Sequence, residues 1–326
     1  MQRFKNILCI IDTETASSAA IQRAVKLARN NRAALTVVKV FDRVSAGIGM
    51  PDGGPISIEL QNALEQEQQV ILGNLIKPYA DQLLISMKVL QGIFFVEVIR
   101  EVLRNQYDLV IKTAHTESWL TRLFSSDDMH LLRKCPCPVW LLKPQGIQTI
   151  KRILVALDVD DSFPSQEIRS RQQLNLQILQ MASSLALTDS AELHIAHVWQ
   201  AAAEITMRST FMEVPEKAIS AYVEQVRQHR SKLLNRLVNE LELSSSNDSQ
   251  DYLKPQLHLK QGSAQREIPV IAKQISADLV VMGTVARTGI PGFIMGNTAE
   301  TILNQLDCSV LAVKPAAFVS PVTVEL

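Results

Sequence analysis

The chain repeats itself. Lys5 to Asp12 (Lys-Asn-Ile-Leu-Cys-Ile-Ile-Asp) is mirrored by Lys151 to Asp158 (Lys-Arg-Ile-Leu-Val-Ala-Leu-Asp). Asp108-Leu109-Val110-Ile111 is mirrored by Asp278-Leu279-Val280-Val281. Leu132 to Pro144 matches Leu303 to Pro315 through Cys137/Cys308, Val139/Val310 and Lys143-Pro144/Lys314-Pro315. A period this long excludes an array of short solenoid units and predicts two copies of one domain. The boundaries fall at 1–146 and 150–315, with a short linker between and a tail, 316–326, that carries no assignment. At 326 residues each copy is long enough to bury its own core.

Within each copy, short apolar runs alternate with helical periodicity. In the first copy Ile7–Ile11, Leu35–Val40, Leu83–Leu90, Leu109–Lys112 and Val139–Leu142 read as strands. Helical spacing falls between them, at Ala20–Ala28, Ile58–Ala80 and Val96–Leu103. The second copy gives strands at 151–158, 192–199, 256–260, 279–282 and just before Lys314. Helices are expected there at 174–187 and 216–243. Such alternation predicts an α/β fold: a parallel sheet covered by helices on both faces, with right-handed crossovers.

Asp278 to Glu300 is the stretch that carries chemistry. A buried strand ends at Gly283, and a loop with glycines at 283, 289, 292 and 296 follows. Asn297 and Glu300 then have capping-box spacing before Ile302, Leu303 and Leu306. Glycines that admit backbone N–H groups, set against a helix start, suit an anion such as phosphate.

This stretch resembles the ATP-binding universal stress proteins. Their motif is glycine, two residues, glycine, nine residues, glycine and a small hydroxyl residue, after the fourth strand. Here the frame falls on Gly283, Ala286, Gly296 and Asn297-Thr298, so alanine replaces the middle glycine and asparagine precedes the hydroxyl. The resemblance covers essentially the whole chain twice. Within the family it is nearest the tandem E-type members of Gram-negative bacteria, through Lys112–His115, Leu131–Pro136 and Gly296-Asn297-Thr298. It implies two Rossmann-like domains, each a five-stranded parallel sheet in the order 3-2-1-4-5. The ligand site then lies at the switch point between strands one and four. It also implies ATP, alone or with magnesium, as the ligand, weak hydrolysis at most, and a role in survival under DNA-damaging and growth-arrest stress. Family dimers commonly pair through the fifth strand, so the two copies are expected to form an intramolecular pseudo-dimer, with a further homodimer optional.

The family's site residues transfer to particular positions. Asp158 is expected to contact ribose or adenine, or else only to cap its loop. Val198 offers its backbone to adenine or is plain core. Gly283, Ala286 and Gly296 would line the phosphates. Asn297 precedes Thr298, which either bonds a phosphate or helps cap its helix. Repeat one lacks this equipment: no glycine occurs from Lys112 to Pro144, Thr113 stands where Gly283 stands, and Asp127 and Asp128 occupy the helix start. Carboxylates there take the positive end of the dipole and repel a triphosphate, so repeat one is not expected to bind nucleotide.

Composition narrows the rest. Lys plus Arg and Asp plus Glu balance at 33 each, giving no field to attract nucleic acid or an anionic membrane. No apolar run has transmembrane length and the first residues lack a secretory pattern, so a cytoplasmic protein is expected. Four cysteines do not make a disulfide framework, and Cys135 and Cys137 lack partners at zinc spacing. His194 and His197 should point to opposite faces of a strand. No catalytic constellation is evident. The alternative to a nucleotide-binding stress protein is a module for an apolar or acyl ligand, or a scaffold without enzymatic activity. Ala286 and Gln91-Gly92-Ile93-Phe94-Phe95 favour that alternative.

Overall fold

The computed structural model describes residues 3–12, 14–43, 55–114, 126–144, 149–209, 214–243, 253–284 and 295–324. The expected loops at Ser45–Pro55 and Ser244–Pro255, the linker and Ala286 lie mostly or wholly outside them.

The first repeat supplies strands β1 (Asn6–Ile11), β2 (Ala34–Phe41), β3 (Ile85–Gln91), β4 (Leu109–Thr113) and β5 (Val139–Leu142). Its helices are α1 (Glu14–Asn31), α2 (Pro55–Ile76), α3 (Phe94–Asn105) and α4 (Ser126–Lys134). The second supplies β6 (Arg152–Leu157), β7 (Glu192–Trp199), β8 (Gln256–Gln261), β9 (Leu279–Gly283) and β10 (Ser309–Val313). Helices α5 (Ser165–Asp189), α6 (Glu204–Met207), α7 (Glu216–Leu243), α8 (Ala264–Gln274) and α9 (Asn297–Leu303) accompany them.

Each repeat is a parallel five-stranded sheet in the expected order. The two are not separate sheets, however. They fuse into one of ten strands, β3-β2-β1-β4-β5-β10-β9-β6-β7-β8. The junction is the one antiparallel pairing among the described residues, with Leu311 opposite Trp140 and Val310 opposite Leu141. Fifth strands are edges, and pairing them satisfies backbone groups that would otherwise attract other chains. Trp140 is wholly buried at this seam. The two faces of the fused sheet carry two apolar clusters, each drawing residues from both repeats.

One helix extends past its periodic apolar core. α5 has 25 residues against 18 in α1, and its added N-terminal turns are polar. α8 forms despite Pro269, which stands in its second turn. The tail, unassigned from sequence, runs back onto the first repeat. Phe318 is buried, and Arg100 donates through Nε to the Thr323 carbonyl at 3.3 Å.

Candidate functional site

In the second repeat the chain leaves β6 toward β7 on one side, while β9 lies on the other. The divergence opens a crevice at the carboxyl ends of these strands. It forms a cavity of about 640 Å³, a size that suits a small organic ligand. Asp158, Val198, Gly283, Gly296, Asn297 and Thr298 all line it. Six of the seven residues expected from sequence are thus brought together, and Ala286 lies outside the described residues.

Asp158 neither caps its loop nor stands free. Its carboxylate pairs with Arg171 of α5, while its carbonyl accepts from Asn175 Nδ2 at 2.8 Å. Arg171 also bonds Glu167 at 2.8 Å and lies 3.8 Å over the Phe163 ring. Beside it, Asp160 pairs with Arg230 of α7 at 2.9 Å. Burial, the largest single influence on Asp160, pushes its carboxyl up. Bonds from Ser162 and the Arg230 charge together outweigh it and hold the carboxyl below its usual range. The mouth of the cavity therefore carries two arginines, each engaged by carboxylates.

Gly283 has a packing reason of its own. A Cβ there would sit 3.0 Å from Leu174 Cδ2, so glycine lets α5 lie close on β9. The expected capping box does not form. Gly296 is the N-cap, Asn297 is already helical, and no side chain caps α9. Glu300 instead takes Arg133 Nη2 of the first repeat at 2.5 Å. A cation on the neighbouring helix α4 offers this carboxylate a charged partner in place of the Asn297 backbone.

His194 and His197 do point apart. His194 Nδ1 lies 3.0 Å from His258 Nε2 on β8, a contact invisible in the spacing of either residue. His197 and Trp199, on the other face, line the cavity. Sequence singles out His197 only as one of two histidines on opposite faces of a strand, and Trp199, Arg171 and Arg230 do not stand out in it. The histidine and tryptophan sit in an ordinary apolar strand, and the arginines on polar helix faces that look merely solvated.

The corresponding place in the first repeat is built differently. Register equates Lys112 with Met282, since Ile10 faces Lys112 as Ala156 faces Met282. The Lys112 ammonium is buried between Asp12 at 2.5 Å and Asp128 at 2.8 Å, and it also bonds the Thr113 carbonyl at 3.1 Å. Burial alone would lower its pKa, but the charges of Asp128 and Asp12 raise it. The crevice holds an internal ion triad. Phe94 and Phe95 open α3 and pack against the core, with Lys112 and Lys134 over their rings at 5.5 and 4.3 Å.

A second buried lysine joins the repeats. Lys314 Nζ donates to the Leu132 carbonyl of α4 and to Thr284 Oγ1, each at 2.5 Å. Burial drives its pKa down to about 7. Among the described residues no cluster of three metal-ligating side chains occurs. All four cysteines are free and buried, with Cys135 and Cys137 sulfurs 3.6 Å apart. Among those residues no helix is long and apolar enough to cross a membrane.

Two switch-point domains fused edge to edge, one with an open cavity, define a tandem Rossmann-like fold. The universal stress protein family model matches residues 3–143 and again 149–314. The chain belongs to the universal stress protein family. It is similar to a Universal stress protein E homolog from Haemophilus influenzae, 29% identical over 96% of this chain and 98% of that one. Universal stress protein E of Escherichia coli is 30% identical over 71% of this chain and 68% of its own. A crystal structure of a functionally unknown protein from Pseudomonas aeruginosa has a TM-score of 0.65. It is 26% identical, covering 97% of this chain and 94% of that one.

Proposed function

We propose that the protein is a stress-response binding protein of the cytoplasm that holds ATP or a related nucleotide in its second repeat. The first repeat is its closed, nucleotide-free partner. The observation that carries this reading is the contrast between the two crevices. One gathers Asp158, Val198, Gly283, Gly296, Asn297 and Thr298 around a cavity of about 640 Å³, with Arg171 and Arg230 at hand for phosphates. The other is occupied by Lys112, Asp12 and Asp128. The bound state, with weak hydrolysis at most, is the protein's functional output. Magnesium would accompany the phosphates as part of the ligand. Because β5 and β10 already cover each other, a further homodimer is optional.

A second reading has one observation in its favour: Leu174, Ile178, Ile268, Met282 and Ile302 give the cavity an apolar floor that would also suit an acyl ligand. Denaturing the purified protein and analysing the released material by absorbance at 260 nm and mass spectrometry separates the two. A nucleotide supports the first reading, and an acyl compound the second.

A further inference from the structure

Two consecutive residues of the first repeat, Leu132 and Arg133 of α4, reach the elements that wall the second repeat's cavity. The Leu132 carbonyl accepts from Lys314 Nζ, which also donates to Thr284 Oγ1, each at 2.5 Å. Thr284 directly follows Gly283, and its carbonyl accepts from Gly296 N at 3.1 Å. Arg133 Nη2 donates to Glu300 Oε1 at 2.5 Å. Glu300 stands one turn beyond Gly296, whose carbonyl accepts from its N–H at 3.0 Å. Gly283, Gly296, Asn297 and Thr298 line the cavity, so the Glu300 carboxylate lies just behind that wall.

The contact is made in one direction only. The repeat that sets Leu132 against Leu303 also sets Met129 against Glu300 and Asn304 against Arg133. The mirror-related pair would therefore be Asn304 and Met129, which carry no charge. The charge and its compensation thus occur on the side of the open cavity, and not on the side of the first crevice. A carboxylate in the first turn of α9 suits the helix but opposes an anion in the cavity, and a cation paired with it removes the opposition. We propose that Arg133 is a positioning residue of the second repeat's ligand site, cancelling the Glu300 charge so that an anionic ligand is held in a site the second repeat does not complete alone. The inference rests on the nucleotide reading and adds the first repeat to that site. Within its own repeat α4 is anchored by Asp128, which holds Lys112 at 2.8 Å.

The test is calorimetric titration of the full chain with ATP. Arg133→Met should bind about three- to fivefold more weakly than the parent, the size expected of one uncompensated, partly exposed charge. Glu300→Gln leaves the Arg133 charge in place and should bind more tightly by a similar factor. The double variant should recover the loss of Arg133→Met, and Arg133→Lys should bind nearly as the parent does. A pair that merely braces the interface would weaken binding whichever partner is removed, so the sign of the Glu300→Gln effect separates charge from brace. That sign decides even where Arg133→Met fails to fold. The Arg133→Met loss should also shrink as salt rises from about 0.02 M to about 0.5 M, because the pair is partly exposed. Arg133→Met binding as the parent does, or Glu300→Gln binding no more tightly than the parent, overturns the inference while leaving the nucleotide site intact. No binding by the parent overturns both.

Discussion

Lys112 Nζ lies 2.8 Å from Asp128 Oδ1, and both side chains are buried, at 1% and 0% exposure. Their counterparts in the second repeat are Met282 and Ala299, which line the open cavity. A buried charge pair is costly to make but more costly to break, since removing one partner strands the other. Lys112→Met should therefore destabilise the protein by about 3–5 kcal/mol. Adding Asp128→Ala, which copies the second repeat, should recover most of that loss. Urea unfolding of the parent, both single variants and the double variant gives the coupling. Additive losses would show that the pair does not act as a unit.

Lys314 makes stability depend on pH in a direction opposite to most lysines. Its folded pKa is about 7, below the ordinary 10.5, because burial penalises the ammonium. Between those values the unfolded chain holds a proton that the folded chain lacks. Stability from this group thus rises with pH from about 7 toward 10.5 and is lost as pH falls back to about 7, at up to about 1.4 kcal/mol per unit. The difference in unfolding free energy between the parent and Lys314→Met should show that slope across this window and flatten below it. A flat difference from pH 7 upward would contradict the assignment.

The seam between β5 and β10 predicts joint unfolding. Trp140, opposite Leu311, is fully buried there and lies under the Arg23 guanidinium at 5.3 Å. Both apolar clusters run across the repeats. Calorimetry should show one transition for the whole chain. Trp140→Ala should lower its midpoint with a loss of about 3–5 kcal/mol. Two resolved transitions in the parent would mean that the repeats are thermodynamically independent.

Most of the fold was legible because its signals are local. Buried strands such as Val139–Leu142 and Glu192–Trp199 are bounded as their apolar runs suggest, since parallel strands covered on both faces leave little room for polar residues. The duplication of Lys143-Pro144 at Lys314-Pro315 pointed to the seam through the family's dimers. What was not legible depends on distant partners. The added turns of α5, 165–173, have a polar pattern because they border solvent and cavity rather than core, so Arg171 and its contact with Asp158 were hidden. Asn297 and Glu300 have the spacing of a capping box, but a cation from the other repeat claimed the glutamate. The ion triad is equally non-local. Lys112 reads as the polar end of a strand until Asp12 and Asp128 converge on it.

The proposed function requires one nucleotide site per chain, in the second repeat. Titration calorimetry of the full chain with ATP and magnesium measures it directly, run on the parent and on Gly296→Trp, whose side chain would fill the cavity wall. A stoichiometry of one is expected in the parent and no binding in the variant. A stoichiometry of two, or a Gly296→Trp variant that binds as the parent does, would contradict it.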